Sequence, residues 1–205
     1  MQHALNLSEP PAPTKLPFAD YAYPTEAWNK IILIGEAPGA EEARLGKPFV
    51  GRSGQLLDKM LDKAGIKRSE TLIANVFRFQ PPGNKVDHFF ISRRASETEG
   101  IAIDEKFGKF GSAYCRREFA SEIDHLSAVL NKQKPKIIVA LGRTPFWALT
   151  GENGLLAKVG IPLPSRLTKT APVIPTFHPS FILRGNWKLQ DEWLEHFKKV
   201  TDYCN

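Results

Sequence analysis

The stretch "IILIGEAPGAEEARLGKPFVGRSGQLLDKML", residues 31–61, indicates the fold class of this chain. It begins with four aliphatic residues in a row, the pattern of a strand that is buried on both faces of a parallel sheet. A loop rich in glycine and proline follows. Apolar residues then recur at helical spacing, which predicts a helix capped by Ser53 and ended by Gly65. A strand, a loop and a helix in this order are typical of α/β proteins.

Three further apolar runs predict strands beside the first: "TLIANV" at 71–76, "KIIVALG" at 136–142 and "APVIPTF" at 171–177. Helices are predicted at about 115–132 and 188–203. Because strands alternate with helices, we expect an α/β fold of three layers, α/β/α, with a central, mostly parallel four-stranded sheet. Ligands of such sheets bind at the carboxyl ends of the strands. The segments "GEAPG", "NVFRFQPPGNK" and "HPSFILRGN" follow three of these ends, so we expect them to converge on one site.

The rest of the chain divides into an arm, a domain and an insertion. Residues 1–27 are expected to form an irregular N-terminal arm, because several prolines exclude a continuous helix there: Pro10, Pro11, Pro13, Pro17 and Pro24. A single α/β domain is expected over 28–205. Within it, a segment of about 84–114 has no clear period and is too long for an ordinary connection, which indicates an insertion.

The composition indicates an ordinary globular protein with an anionic partner. A net charge of +6 and a pI of about 9.3 favour a polyanion such as nucleic acid. The sequence shows no secretory signal, and no apolar run approaches the roughly 18 residues needed to cross a membrane, so no membrane partner is expected. The two cysteines, Cys115 and Cys204, cannot form a disulfide framework, which favours a reducing cytoplasm.

Four segments together resemble a known family: "GEAPGAEEARLGKPFVGRSGQLLDKML", "ANVFRFQPPGN", "IIVALG" and "PTFHPSFILR". They are similar to the motifs of the uracil-DNA glycosylase superfamily, most of all to its family four, over about residues 30–185. The motifs occur in the family's order and in the expected strand and helix contexts. The resemblance implies the glycosylase fold and uracil-containing DNA as the partner.

The resemblance also implies an activity, which is that of a monofunctional uracil-DNA glycosylase. Such an enzyme flips uracil out of DNA and hydrolyses its N-glycosidic bond, so that free uracil and an abasic site are left for base-excision repair. We expect the protein to be a monomer and to lie in the cytoplasm, as a bacterial or phage-like intracellular protein. The alternative is a protein that binds uracil-containing DNA without turnover or traps it covalently, with His88 as the candidate nucleophile. Activity on other deaminated bases and the choice between single and double strands stay open.

The family motifs assign roles to five residues of the uracil site. Glu36 is the catalytic residue that orients or activates water, and His178 is the catalytic residue that stabilises the uracil anion at O2. Ala37 presents its backbone to the base, and Phe49 stacks on it. The amide of Asn75 pairs with O4 and N3–H of uracil and so rejects cytosine.

Contacts to the DNA strand are assigned to the same motifs. Gly39 permits close approach of the backbone, Ser180 contacts a phosphate, and Arg184 contacts a phosphate or the minor groove. An apolar side chain that fills the gap left by the flipped base is expected from Phe181, Ile182 or Leu183, and their spacing does not choose among them. Glu41 and Glu42 are interpreted as acids at the start of a helix or as solvated acids, rather than as catalytic residues.

The family carries a four-iron–four-sulfur cluster on four cysteines, and this chain departs from that pattern. Phe79 stands at the third cysteine position, and only Cys115 matches the fourth. Because one thiolate cannot hold such a cluster, we expect no metal and no cofactor. Phe79 and the N-terminal arm are expected to fill the space with apolar packing. Cys115 is then a small buried residue and Cys204 an incidental thiol near the chain end.

Overall fold

All four predicted strands are present in the computed structural model, which describes residues 16–204. The elements of the chain have these bounds: β1 Ile31–Gly35, α1 Ala40–Leu45, α2 Arg52–Lys63, β2 Leu72–Asn75, β3 Phe90–Ile91, α3 Arg93–Glu99, β4 Ile103–Phe110, β5 Ala113–Arg116, α4 Arg117–Gln133, β6 Ile137–Leu141, α5 Arg143–Thr150, β7 Leu163–Pro164, β8 Pro172–Thr176, α6 Pro179–Leu183 and α7 Gln190–Thr201. The predicted α/β class is therefore confirmed.

The central sheet has the strand order β2-β1-β6-β8-β7. The four predicted strands, β2, β1, β6 and β8, run parallel, and the two-residue strand β7 adds an antiparallel edge that the sequence did not predict. Each predicted strand is buried along nearly its whole length, as continuous apolar runs require when helices cover both faces.

Alternate residues of β1 enter two different hydrophobic clusters, one on each face of the sheet. Ile32 and Ile34 pack with side chains of α4 and α5. Ile31 and Leu33 pack with side chains of α2 and α7 on the opposite face. This alternation follows from the two-residue period of a strand, and it produces the three layers that the sequence predicts.

The predicted helices are present with boundaries shifted by one or two residues, and α7 spans Gln190–Thr201 instead of about 188–203. The N-cap of α2 is Gly51 rather than Ser53, which lies within the first turn and makes no capping hydrogen bond. Helix α4 begins at Arg117, because Cys115 belongs to β5 instead. Cys115 is fully buried, which confirms the prediction for that residue.

The predicted insertion contains ordered structure. Its strands form a second sheet of order β3-β5-β4, in which both pairings are antiparallel. Phe90 and Phe107 of this sheet are buried in the same cluster as α4 and α5. The segment is therefore a small layer packed on the α/β core, and the division of the chain into domains stays a prediction.

Residues 16–27 of the N-terminal arm run beside β2. Ala22 and Ile73 exchange backbone hydrogen bonds of 2.8 and 2.9 Å, and Phe18 forms a bridge with Phe79. Pro17 and Pro24 lie outside regular helix or strand, as predicted, whereas Pro10, Pro11 and Pro13 lie outside the described residues. Within residues 16–204, no helix is long and apolar enough to cross a membrane.

Candidate active site

Side chains from three distant segments line one cavity of about 450 Å³ at the carboxyl edge of the central sheet. Glu36 follows β1, Asn75 ends β2, and His178 follows β8. The cavity also has contributions from further residues that the sequence singled out: Ala37, Gly39, Phe49, Ser180 and Arg184. The expected convergence of the strand ends is therefore present.

The Phe49 ring forms a buried wall of this cavity. A Cβ on Gly35 would lie 2.5 Å from Phe49 Cζ and 2.4 Å from Asn75 Oδ1, so the end of β1 must lack a side chain for both groups to fit. Phe49 has a backbone φ of 53°, in the left-handed region that a bulky residue rarely adopts. Such strain at a pocket wall persists only when neighbouring contacts hold it.

Those contacts come from Glu42, which lies in the first turn of α1, in agreement with the first of its two predicted interpretations. Its carboxylate accepts backbone hydrogen bonds from Val50 at 3.1 Å and from Gly51 at 2.8 Å. Glu42 is therefore not simply a solvated acid, because it fixes the two residues that follow Phe49. Glu41, by contrast, is exposed and pairs only with the exposed Arg44 among the residues described.

The amide of Asn75 is buried against the cavity, with only 3% of the residue exposed. Within residues 16–204, its side chain makes no hydrogen bond of its own. A buried amide normally finds partners in the protein or in a ligand. Asn75 can therefore offer both its donor and its acceptor to a molecule in the cavity.

The His178 ring has a defined tautomer. The backbone N–H of Ser180 donates to Nδ1 at 3.1 Å, and the Ser180 hydroxyl lies 2.8 Å from the same nitrogen. Arg184 donates to Ser180 Oγ at 3.2 Å, which leaves the hydroxyl proton to point at Nδ1. Because Nδ1 accepts, the proton of the neutral ring is on Nε2.

Burial, and secondarily the charge of Arg184, lowers the pKa of His178 to about 4. The imidazole is therefore neutral at physiological pH and presents an Nε2–H donor. Its ring centroid lies 5.8 Å from that of Phe49, so the donor and the aromatic wall belong to one site.

Glu36 is half-buried and has a partner that the sequence analysis did not identify. The hydroxyl of Thr144, in the first turn of α5, donates a short hydrogen bond to Glu36 Oε2. Burial raises the pKa of Glu36, whereas the Thr144 hydrogen bond and then the charge of Arg143 lower it. The one sequence signal for Arg143 and Thr144 is their position just after the end of β6, in "LGRT".

The chain is similar to known proteins over most of its length. The model of the Uracil DNA glycosylase superfamily matches residues 25–201. A Type-4 uracil-DNA glycosylase of Thermotoga maritima is 35% identical over 178 residues, which cover 85% of this chain and 78% of the relative. The chain belongs to the uracil-DNA glycosylase superfamily.

Other members of the superfamily are similar over most of their length. A Type-4 uracil-DNA glycosylase of Sulfurisphaera tokodaii is 34% identical over 194 residues, which cover 90% of this chain and 76% of the relative. One of Archaeoglobus fulgidus is 30% identical over 186 residues, with 85% and 77% covered. The resemblance that the sequence motifs indicated is confirmed.

The three candidates for the apolar wedge differ in burial, and Ile182 does not suit that role. Ile182 is fully buried in the cluster beneath the sheet, because α6 turns this residue towards α2 and α7. Phe181 and Leu183 are half-buried and stay candidates for the apolar wedge. The sequence could not separate these three residues, since the orientation of a five-residue helix depends on its packing.

His88, the candidate for a covalent trap in this superfamily member, does not line the cavity. Its ring packs against Phe119 and Phe89, with centroid distances of 5.6 and 5.8 Å. Arg116 donates to the His88 backbone carbonyl at 3.2 Å. These contacts indicate a structural role in the insertion.

The residues at the cluster positions do not fit an iron–sulfur cluster. Phe79 is buried and packs on Phe18 with a centroid distance of 5.6 Å. Burial, with the charge of Asp104, raises the pKa of the Cys115 thiol to about 12, so this thiol stays protonated. Cys204 packs in the cluster on the other face of the sheet.

Proposed function

We propose that this protein is a monofunctional uracil-DNA glycosylase that flips uracil out of DNA and hydrolyses its N-glycosidic bond for base-excision repair. One observation carries the proposal. Glu36, Phe49, Asn75 and His178 line one cavity at the strand ends, and the neutral imidazole presents an N–H donor. A glycosidic bond inside a duplex is inaccessible, so a cavity of this kind requires that the base leaves the stack.

Recognition of uracil follows from Phe49 and Asn75. The ring of Phe49 stacks on one face of the flipped base, and the backbone at Ala37 contacts the base from the glycine-proline loop. The Asn75 amide donates to O4 and accepts from N3–H. Cytosine presents the reverse pattern at these two positions, so its entry leaves buried polar groups unpaired, which disfavours it.

Hydrolysis follows from His178 and Glu36. As the bond between the sugar C1′ and the base N1 breaks, the electron pair moves onto the base and its O2. The Nε2–H of His178 donates to O2 and stabilises this anion more than the neutral base. The Glu36 carboxylate orients a water and accepts its proton as the oxygen adds to C1′. The hydrogen bond from Thr144 favours the ionised form of this carboxylate and so opposes the effect of burial on its pKa.

The DNA strand is held by the loops that surround the cavity. Gly39 lets the backbone approach a phosphate, and Ser180 and Arg184 contact phosphates at the rim. The gap left by the flipped base is filled by Phe181 or Leu183. We infer that the enzyme leaves the backbone intact, because no lysine lines this cavity among residues 16–204 to form an imine with the sugar.

An oligonucleotide assay tests the proposal against a binding or trapping protein. A labelled strand with one uracil is incubated with the protein and then treated with alkali, while a parallel sample is run on a denaturing protein gel. We expect alkali-dependent cleavage with many turnovers, no cleavage without alkali, and none when thymine replaces uracil. A stable shifted protein band would indicate covalent trapping. Binding without cleavage would indicate a protein that has lost the chemistry.

A further inference from the structure

A second cavity of about 710 Å³ lies directly beside the uracil cavity and shares Glu36, His178, Ser180 and Arg184 with it. Its remaining walls are mainly apolar, with Leu155, Leu156, Phe177 and Phe181 among the lining side chains. Its size lies within the range of cavities that hold small organic ligands. The proposed roles of the shared residues leave this second space unused.

Leu156 is the most exposed large apolar side chain of the described chain, at 69%. It lies in a short 3-10 helix, Leu155–Ala157, at the wall of the cavity. The cavity is also lined by Phe181, whose ring stacks on Phe177 with a centroid distance of 5.8 Å and an interplanar angle of 28°. An exposed leucine and an aromatic ring together form a surface suited to a planar, apolar group.

Two guanidinium groups give the cavity a positive rim. Arg143 and Arg184 are both exposed and both line it. Arg143 lies over the Phe110 ring at 5.2 Å, and Arg184 donates to Ser180 Oγ at 3.2 Å, so each side chain has a defined position. Guanidinium groups in defined positions bind phosphate well. A planar apolar surface with such a rim matches the chemistry of a nucleotide.

The inserted segment holds the Leu156 wall in place. The Asn153 side chain accepts a hydrogen bond from the Gly111 backbone at 2.9 Å and donates to the Lys109 carbonyl at 3.1 Å. Lys109 lies near the end of β4, and Gly111 lies in the turn that connects β4 to β5. Arg166 also donates to the Phe107 carbonyl of β4, at 2.6 Å. The insertion is therefore hydrogen-bonded to the segment that carries Leu156 and stabilises its position.

We propose that the second cavity binds the nucleotide next to the uridine on the same DNA strand. The base packs on Leu155, Leu156 and Phe181, and its phosphate meets Arg143 and Arg184. Every base has an apolar face, so such binding is largely independent of sequence. A base held there is separated from its neighbours, which suits a single strand. This inference rests on the proposed glycosylase function, because it takes the uridine to occupy the adjoining cavity.

Kinetics with modified single strands test the subsite. The substrates carry one uracil with either natural neighbours or an abasic spacer on its 5′ or 3′ side. With natural neighbours, we expect Leu156→Ser to raise KM about tenfold and to leave the single-turnover rate at saturation within about twofold, as loss of a stacking contact requires. A spacer on one side should raise the KM of the unaltered protein about as much, and on that substrate Leu156→Ser should raise KM little further.

Ile161→Ser, which removes an exposed apolar side chain outside the cavity, is the matched control and should change neither KM nor the single-turnover rate.

Three results would overturn the subsite. The first is an unchanged KM in Leu156→Ser. The second is a full increase of KM by Leu156→Ser even on substrates with a spacer, whichever side of the uracil carries it. The third is a dependence, in duplex substrates, only on a spacer in the complementary strand, which would assign the cavity to the base opposite uracil. If the protein releases no uracil from any substrate, the glycosylase proposal fails instead, and the same comparison by fluorescence anisotropy still tests the subsite.

Discussion

The His178 imidazole has one nitrogen already engaged by Ser180, and this leaves a single donor for the chemistry. We expect His178→Ala to lower the single-turnover rate about 10²–10³-fold, which is the usual effect of removing one donor to a developing anion. Affinity for uracil-containing DNA should change little, because the contact strengthens mainly in the transition state. Rapid-quench rates and anisotropy binding measure the two effects separately.

The matched control for this prediction is His88→Gln. His88 lies on the insertion and packs against Phe119 rather than in the cavity, so its replacement should leave the rate unaltered. A collapse of binding in His178→Ala with persisting chemistry would mean that the imidazole anchors the base only.

The hydrogen bond from Thr144 lowers the pKa of Glu36. Burial raises the pKa of Glu36, and the Thr144 hydroxyl opposes this by hydrogen bonding to the carboxylate. Since a protonated carboxyl cannot accept the proton of water, the single-turnover rate should fall as pH falls through this pKa. Thr144→Val removes the opposing hydrogen bond, so it should move the acidic limb of the pH–rate profile to higher pH.

Thr144→Ser keeps the hydroxyl and should leave the acidic limb where it is in the unaltered protein. Equal profiles for the valine and serine variants would show that another group controls the acidic limb. His178, with its pKa lowered to about 4, would be the next candidate, since its protonation occurs in more acidic solution.

The sequence predicted some site residues and missed others for a physical reason. Glu36, Asn75 and His178 stand at the ends of apolar runs, where the geometry of a parallel sheet brings separate segments together. Thr144 lies inside the first turn of a helix and is itself buried, so its polarity looks like ordinary helix composition. Its role depends on a contact with a residue 108 positions away, which no local pattern encodes.

At the scale of elements, the loop after α1 depends on one carboxylate. Glu42 accepts hydrogen bonds from Val50 and Gly51 and so stabilises the strained backbone of Phe49. We expect Glu42→Ala to raise KM for a uracil-containing oligonucleotide about tenfold, the effect of roughly 1.4 kcal/mol. Steady-state kinetics on one short substrate measure this change.

Glu41→Ala is the matched control for the loop, because the neighbouring carboxylate pairs only with the exposed Arg44 in the described part of the chain. Such exposed pairs contribute little. If both variants behaved alike, the loop would owe its shape to packing rather than to the Glu42 hydrogen bonds.

The elements that the sequence predicted well are those with a strong apolar period. The four parallel strands are buried on both faces, so their continuous apolar runs are visible without any alignment. The hairpin β4–β5 was missed because its strands are largely exposed and interrupted by charges, as in "IDEKFGKF". Strand β7 has only two residues and exists through its pairing with β8. Such elements are determined by their neighbours rather than by their own sequence.

At the scale of the whole molecule, a buried ion pair includes Arg78, the residue directly before Phe79, which stands at one of the cluster positions that the family resemblance implies. Arg78 and Glu122 are each 1% exposed, and Arg78 Nε donates to Glu122 Oε2 at 2.9 Å. The Arg78 guanidinium also lies over the Phe18 ring at 5.1 Å. The ion pair therefore connects the N-terminal arm, the segment after β2 and helix α4.

This arrangement predicts that stability depends on the ion pair and not on a metal. Glu122→Leu removes the buried carboxylate of the pair and leaves Arg78 with the half-exposed Asp20, whose Oδ1 lies 3.6 Å from Nη1, so we expect it to lower the free energy of unfolding by about 3 kcal/mol, the lower end of the cost of breaking a buried pair. Adding Arg78→Met removes that charge and should recover most of the loss, since an apolar pair of similar volume is often as stable as a buried ion pair. Urea denaturation of both variants measures these changes. The unaltered protein should contain no iron, and a chelator should leave its Tm unchanged. A Tm that falls with chelator would show that a metal stabilises the fold. A double variant no more stable than Glu122→Leu would show that the buried Arg78 charge is not the cause of the loss.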